Sequence, residues 1–214
     1  MRKYVIVDLE MCNVPKGIKR DTYNWRNELI QIGAVVVDES LNITDEFMTL
    51  VSPEFGAIDN FIEKLTGITR KSVQGAPKVK EALEMFVSWL PSDAVLVSWS
   101  ENDENQIRRE IEAKNIIVEG LDNFLDNWID CQKTFGEKMN AQKNYKLSEA
   151  LIIADIDYNE GEHDALVDAK NTAQLFIKME REPVLILNPY YCNQKEEETY
   201  NPFAALLANY SLAI

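Results

Sequence analysis

Asp8 and Glu10 stand two residues apart in Tyr4-Val-Ile-Val-Asp-Leu-Glu10, at the close of an apolar run of high β propensity. Side chains alternate across a strand, so this spacing turns both carboxylates to one side. Two negative charges at a buried strand end are costly unless something cationic sits between them. A hard divalent ion with oxygen ligands is the simplest candidate. The same spacing also fits an exposed strand end that merely tolerates acids, since the pattern is short and common.

A second constellation is His163-Asp-Ala-Leu-Val-Asp168, which holds the only histidine of the chain. His163 comes where a loop turns into the last strong helical pattern. Asp168 lies on that helix near its apolar stripe, an unusual place for an unpaired acid. This reads as a metal ligand beside a base able to deprotonate water near neutral pH; a loop histidine with a helix-surface aspartate is the plainer alternative. Asp103 is the third element. It follows a short buried strand and opens a helix, where N-terminal capping alone would explain a carboxylate. Glu101 and Glu104 are rivals for its role.

These residues need elements to hold them. Strand patterns cover Tyr4–Val7, Leu29–Val37 and Ile43–Val51, with a polar loop from Asn13 to Asn27 and turn residues at Asp38–Asn42. Three strands in succession suggest an antiparallel meander. Helical spacing follows at Asp59–Leu65 and at Lys78–Leu90, where Val79, Leu83, Phe86, Val87 and Leu90 share a face and Pro91 ends the helix. Ala94–Val97 reads as a short buried strand, Asp103–Lys114 as a charged helix, and Asn127–Ile129 as a weaker strand. A helical region around Leu147 and Leu151 precedes the last helix, Ala165–Met179. Together these fit an α/β fold, a mixed five-stranded sheet flanked by helices. The segment from Pro183 onward differs in character, with an acidic run at Lys195–Glu198 and an apolar stretch at Phe203–Leu207. The expected organisation is one domain over residues 1–180 and an extension, 181–214, packing on it or on a partner subunit.

Taken in order, VDLE with Asp8 and Glu10, the middle segment with Asp103, and HDALVD with His163 and Asp168 resemble the DEDDh group of the DnaQ-like 3′-to-5′ exonucleases. Glu28-Leu-Ile-Gln-Ile-Gly-Ala-Val-Val-Val-Asp38 is similar to the family's second strand, and Leu65-Thr-Gly-Ile-Thr69 to a recurrent segment before its first helices. The Eri-type and KapD-type branch is the most similar. In one place the chain departs from the family: Asn102 stands before the middle aspartate, where an aromatic or apolar residue is common. The resemblance implies a ribonuclease-H-like three-layer fold. It also implies two Mg²⁺ or Mn²⁺ ions held by Asp8, Glu10, Asp103 and Asp168, with His163 as the base and nucleoside 5′-monophosphates as products. The implied partners are single-stranded RNA or DNA 3′ ends, with RNA somewhat favoured. Leu9 and Met11, beside the first motif, would pack against the terminal nucleotide unless they belong to the core. Trp99 or Tyr145 could stack a base, although structural roles are commoner there, and Lys71, Lys78 and Lys80 read better as a solvated face than as phosphate contacts. A phosphodiesterase for short oligonucleotides and a non-catalytic nucleic-acid-binding relative are the rival readings.

Composition bounds the rest. The 214 residues are 46% apolar and 27% charged, ordinary for a globular chain with one buried core. No apolar run approaches the ~20 residues of a membrane span, and YVIV is too short for a signal peptide, so a cytoplasmic protein without a membrane partner is expected. Cys12, Cys131 and Cys192 are odd in number and widely spaced, which suggests reduced structural thiols. The net charge of −14 opposes long-range attraction to a polyanion. A tight duplex clamp is therefore disfavoured, while trimming of strand ends at a metal site remains open.

Overall fold

The computed structural model describes residues 3–18, 23–141, 143–158, 161 and 163–191. Five strands form one sheet in the order β3-β2-β1-β4-β5. β1 (Lys3–Asn13), β2 (Asn27–Val37) and β3 (Ile43–Leu50) make an antiparallel meander, whereas β4 (Ala94–Ser98) and β5 (Ile129–Asp130) run parallel to β1. The expected mixed five-stranded sheet is what forms.

Alternation along β1 decides the layers. Val5, Val7 and Leu9 face a core shared with α2 (Val79–Trp89), α3 (Asn102–Ala113) and α4 (Leu121–Leu125). Ile6 faces the opposite core, covered by α5 (Cys131–Lys138), α6 (Leu147–Ile153) and α7 (Ala165–Arg181). A smaller cluster around Cys12, Ile30 and Ile62 lies under α1 (Asn60–Thr66). Local chemistry marks the helix ends: Asp59, Asp130 and Asp164 accept backbone N–H groups at the starts of α1, α5 and α7. Gly67, at φ 72°, closes α1 in the left-handed region.

Two differences from the sequence expectation matter for function. β1 extends to Asn13, so Asp8 and Glu10 lie inside the strand and not at its end. The reason is asymmetric pairing: β2 follows β1 through Asn13, while β4 pairs with it only as far as Ile6. The acids therefore occupy a stretch with one neighbour. α4 and α5 were not anticipated, being short and weakly patterned.

The segment after α7 packs back on the domain as far as it is described. Leu185 is buried, and the Asn188 N–H donates to the Ile153 carbonyl. The acidic run at 195–198, the apolar stretch at 203–207 and Cys192 lie outside the described residues. Cys12 and Cys131 are buried free thiols. Among the described residues no helix is long and apolar enough to cross a membrane.

α7 seats on the sheet at one glycine. A Cβ on Gly33 of β2 would lie 2.2 Å from the Ala165 carbonyl carbon and from the Leu166 nitrogen, both backbone atoms that cannot swing away. Gly33→Ala should cost about 1–3 kcal/mol through overpacking, read as a lower urea midpoint with unchanged slope. A variant as stable as the parent would contradict this close seating.

Candidate active site

On the α7 side of the sheet the register places Asp8 opposite Gly33 and Glu10 opposite Gln31. The contact at Gly33 thus brings the first turn of α7 directly beside both acids. Gln31 clasps that turn: its Oε1 accepts from the Ala165 N–H at 3.1 Å, and its Nε2 donates to Asp164 at 3.4 Å. Asp164 caps the helix by accepting from Leu166 and Val167. One turn on, Asp168 is buried and its Oδ2 accepts from the His163 N–H at 2.9 Å. His163 takes φ 70°, uncommon for a residue with a side chain. The Asp168 bond and the cap after it hold this conformation in place.

Asp103 arrives from the other layer. It is buried on the first turn of α3, and its Oδ1 accepts from the Leu9 N–H at 3.2 Å. That N–H is one that β4 would have engaged had it continued alongside β1. Its rivals are accounted for elsewhere: Glu101 pairs with Lys133 at 2.9 Å on the surface, and Glu104 with Arg108 at 2.8 Å.

The potential ligand atoms of Glu10, His163 and Asp168 all lie within 4.8 Å of one another. Asp8 and Asp103 stand outside this tightest group but share its electrostatics. Burial first, then the charges of Asp103, Asp168, Glu10 and Asp164, push the Asp8 pKa well up. Burial followed by Asp168, Asp103 and Asp164 raises Glu10 to about 8. Burial also lifts Asp103 to about 7, against the Leu9 N–H and the Ser98 hydroxyl. No lysine or arginine is ion-paired with Asp8, Glu10 or Asp103 among the described residues. Converging oxygen donors without a protein cation suit a hard divalent ion.

Asp8, Asp168 and His163 line a cleft of about 660 Å³ with Tyr158, Gln132 and Lys146, the one lysine lining it among the described residues. Trp99 and Tyr145 line it too, yet both rings are buried, and the Trp99 Nε1 donates to the Tyr145 carbonyl. Leu9 is 4% exposed and belongs to the core, so of the two side chains flanking Glu10 only Met11 has surface to offer. Lys78 is engaged with Ser52 and Pro53, and Lys80 with Glu84.

A sequence model described as exonuclease matches residues 5–176. The chain belongs to this family. The chain is 30% identical over 180 residues to the DNA polymerase III subunit epsilon of Aquifex aeolicus, covering 82% of this chain and 79% of that one. It is 32% identical over 178 residues to the PolC-type DNA polymerase III of Caldanaerobacter subterraneus, covering 83% of this chain but 11% of the polymerase. With ERI1 exoribonuclease 2 of Danio rerio it shares 31% identity, across 75% of this chain and 32% of that protein. The chain thus spans most of the first relative and a minor part of the other two. The nuclease domain of 3′hExo, a DEDDh family member solved bound to rAMP, has the same fold: TM-score 0.69 at 22% identity, covering 87% of this chain and 96% of that one. The fold is ribonuclease-H-like, as the motif order implies.

Folded-state values near 7 and 8 lie above the ordinary carboxylate value of about 4. Folding therefore favours the protonated acids, and their stabilisation, full below about pH 4, falls away as pH rises and is gone above 8. In EDTA the melting temperature should fall between about pH 5 and 8, Glu10→Gln should flatten that fall, and added Mn²⁺ should raise the melting temperature most at high pH. Parallel melting profiles for parent and Glu10→Gln would refute the charge crowding.

Proposed function

We infer that the protein is a metal-dependent 3′-to-5′ exonuclease that releases nucleoside 5′-monophosphates from single-stranded ends. One observation carries this reading: Glu10 of β1, Asp168 of α7 and His163, the chain's only histidine, bring potential ligand atoms within 4.8 Å of one another, and Asp8 and Asp103 share their charge crowding. Asp8, Glu10, Asp103 and Asp168 would hold two Mg²⁺ or Mn²⁺ ions. Ions bound there neutralise the phosphodiester and make water a better nucleophile near neutral pH.

The chain's own groups do the rest. Asp103 stays fixed through the Leu9 N–H, and Asp168 through the His163 N–H, so neither carboxylate need reorganise during turnover. His163 stands next to Glu10 and Asp168, where its imidazole takes a proton from the attacking water. The water oxygen bonds to phosphorus as the bond to the 3′ oxygen breaks, and that oxygen leaves with a proton from solvent. Lys146 on the cleft rim meets the non-bridging phosphate oxygens.

RNA is the favoured substrate, because exoribonucleases are among the relatives similar across most of this chain, although polymerase-associated relatives keep DNA in play. Asp8→Asn and Asp168→Asn should each abolish Mg²⁺-dependent trimming of a 5′-labelled strand while the fold survives by circular dichroism. His163→Ala should lower kcat by about a hundred- to ten-thousand-fold and leave Mn²⁺ binding nearly intact. Matched RNA and DNA strands give the preference, with RNA expected to be faster. Near-parental trimming by both aspartate variants would overturn the assignment.

A further inference from the structure

A second pocket opens on the other side of Asn102, the residue that also lines the catalytic cleft. It measures about 540 Å³ and is walled by Trp25, Arg26, Arg109, Met11 and Asn24 together with Asn102. Asn102 immediately precedes Asp103, and Met11 immediately follows Glu10, so the pocket begins one residue away from two of the four carboxylates. Its composition is the opposite of theirs. Among the described residues no aspartate or glutamate lines it. Neither Arg26 nor Arg109 is ion-paired among the described residues.

The aromatic wall is held from behind. Between β1 and β2 the described residues 14–18 and 23–26 lie outside the sheet, and the Val14 N–H donates to the Arg26 carbonyl at 2.7 Å. Tyr23, two residues before Trp25, is buried, stacks on Phe55 with centroids 5.1 Å apart and donates its hydroxyl to the Asn27 carbonyl. The Gln106 Nε2 donates to that same carbonyl from α3. Trp25 itself is half-buried, and the Arg109 guanidinium lies 4.9 Å from its ring centroid. A guanidinium resting on a ring keeps its in-plane N–H donors available to phosphate oxygens. The result is a flat cationic wall with amides beside it.

We propose that this pocket is a strand-binding subsite for single-stranded nucleic acid, in which a base stacks on the Trp25–Arg109 wall and a phosphate pairs with Arg109 and Arg26. The proposal rests on the exonuclease reading for its ligand class and supplies what the acidic centre lacks, a place where the polyanion is attracted. It also assigns an aromatic surface next to Asn102, a position that has no ring of its own.

Binding is measured by anisotropy of a fluorescein-labelled 12-nucleotide RNA on Asp8→Asn protein in Mg²⁺, where no turnover intervenes. Trp25→Leu should weaken binding about tenfold, whereas Trp25→Phe, which keeps a π face, should restore most of it. Quenching of tryptophan fluorescence on binding should shrink in the Trp25→Phe protein. Arg109→Gln should reduce the slope of log affinity against log salt by about 0.7, the value for one single-strand phosphate contact, and Arg109→Lys should recover it. Lys64→Ala, which removes an exposed charge of α1 that does not line the pocket, is the control and should change neither. Equal affinity for Trp25→Leu and Trp25→Phe, or an unchanged salt slope in Arg109→Gln, would overturn the subsite. These arms read binding whether or not the parent trims. A parent without trimming would instead refute the nuclease reading.

Discussion

The contact between α7 and Gly33 is the constraint on which the site depends. Carboxylates in a buried place repel one another and favour protonation, so nothing in their mutual chemistry draws them together. The backbone does it. A side chain at position 33 would meet two backbone atoms of α7 at 2.2 Å, and its absence lets the helix start sit against β2 in register with Asp8. Gln31, one step along the same face, fastens the helix by its amide. Asp103 is set independently through a β1 N–H that lost its partner when β4 diverged. Each acid is thus positioned by a hydrogen bond or a close contact that its charge did not create.

A second buried acid cluster in the same molecule shows what a structural solution looks like. Glu28 and Glu110 are both fully buried, and Lys114 pairs with them at 2.6 and 2.8 Å. Burial pulls Glu28 up, but Lys114 and the N–H groups of Glu54 and Gly56 outweigh it and leave its pKa below the ordinary range. Glu110 further accepts from the Leu29 N–H and the Gln106 amide, tying α3 to the start of β2. This cluster carries its own cation. Around Asp8, Glu10 and Asp103 no lysine or arginine is ion-paired among the described residues. A cluster that carries its own cation is a packing device; acids crowded without one suit an added cation.

Much of this was legible in the residues. The mixed five-stranded sheet and the antiparallel meander that opens it formed as the strand patterns predicted. The ambiguity over Asp103 had a local cause: three acids within four residues look alike until one is seen to accept an N–H from the distant Leu9. Leu9 itself could not be assigned to core or cleft, because alternation fixes opposite faces and not which face is solvent. The length of β1 was underestimated for a related reason. Charged residues within a strand look like its end, and only the one-sided pairing with β2 explains their place in the interior. Gln31 and Gly33 sat in plain view within a strand pattern, but a helix start against them is a tertiary fact. Trp25 and Arg109 are 84 residues apart and carry no spacing signal.

The net charge of −14 is compatible with a polyanionic substrate once distance is considered. At physiological ionic strength the Debye length is about 8 Å, so the summed charge is largely screened beyond the first layers of solvent. What a strand meets at contact is the local surface, and this differs sharply across Asn102: crowded carboxylates on one side, two guanidinium groups and an indole on the other. Long-range steering is given up in such an arrangement, and with it fast capture of long polyanions. An end-trimming enzyme can accept that loss, because one short stretch of strand must settle while the rest stays in solvent. The acidity that argues against a duplex clamp therefore does not argue against a nuclease acting on ends.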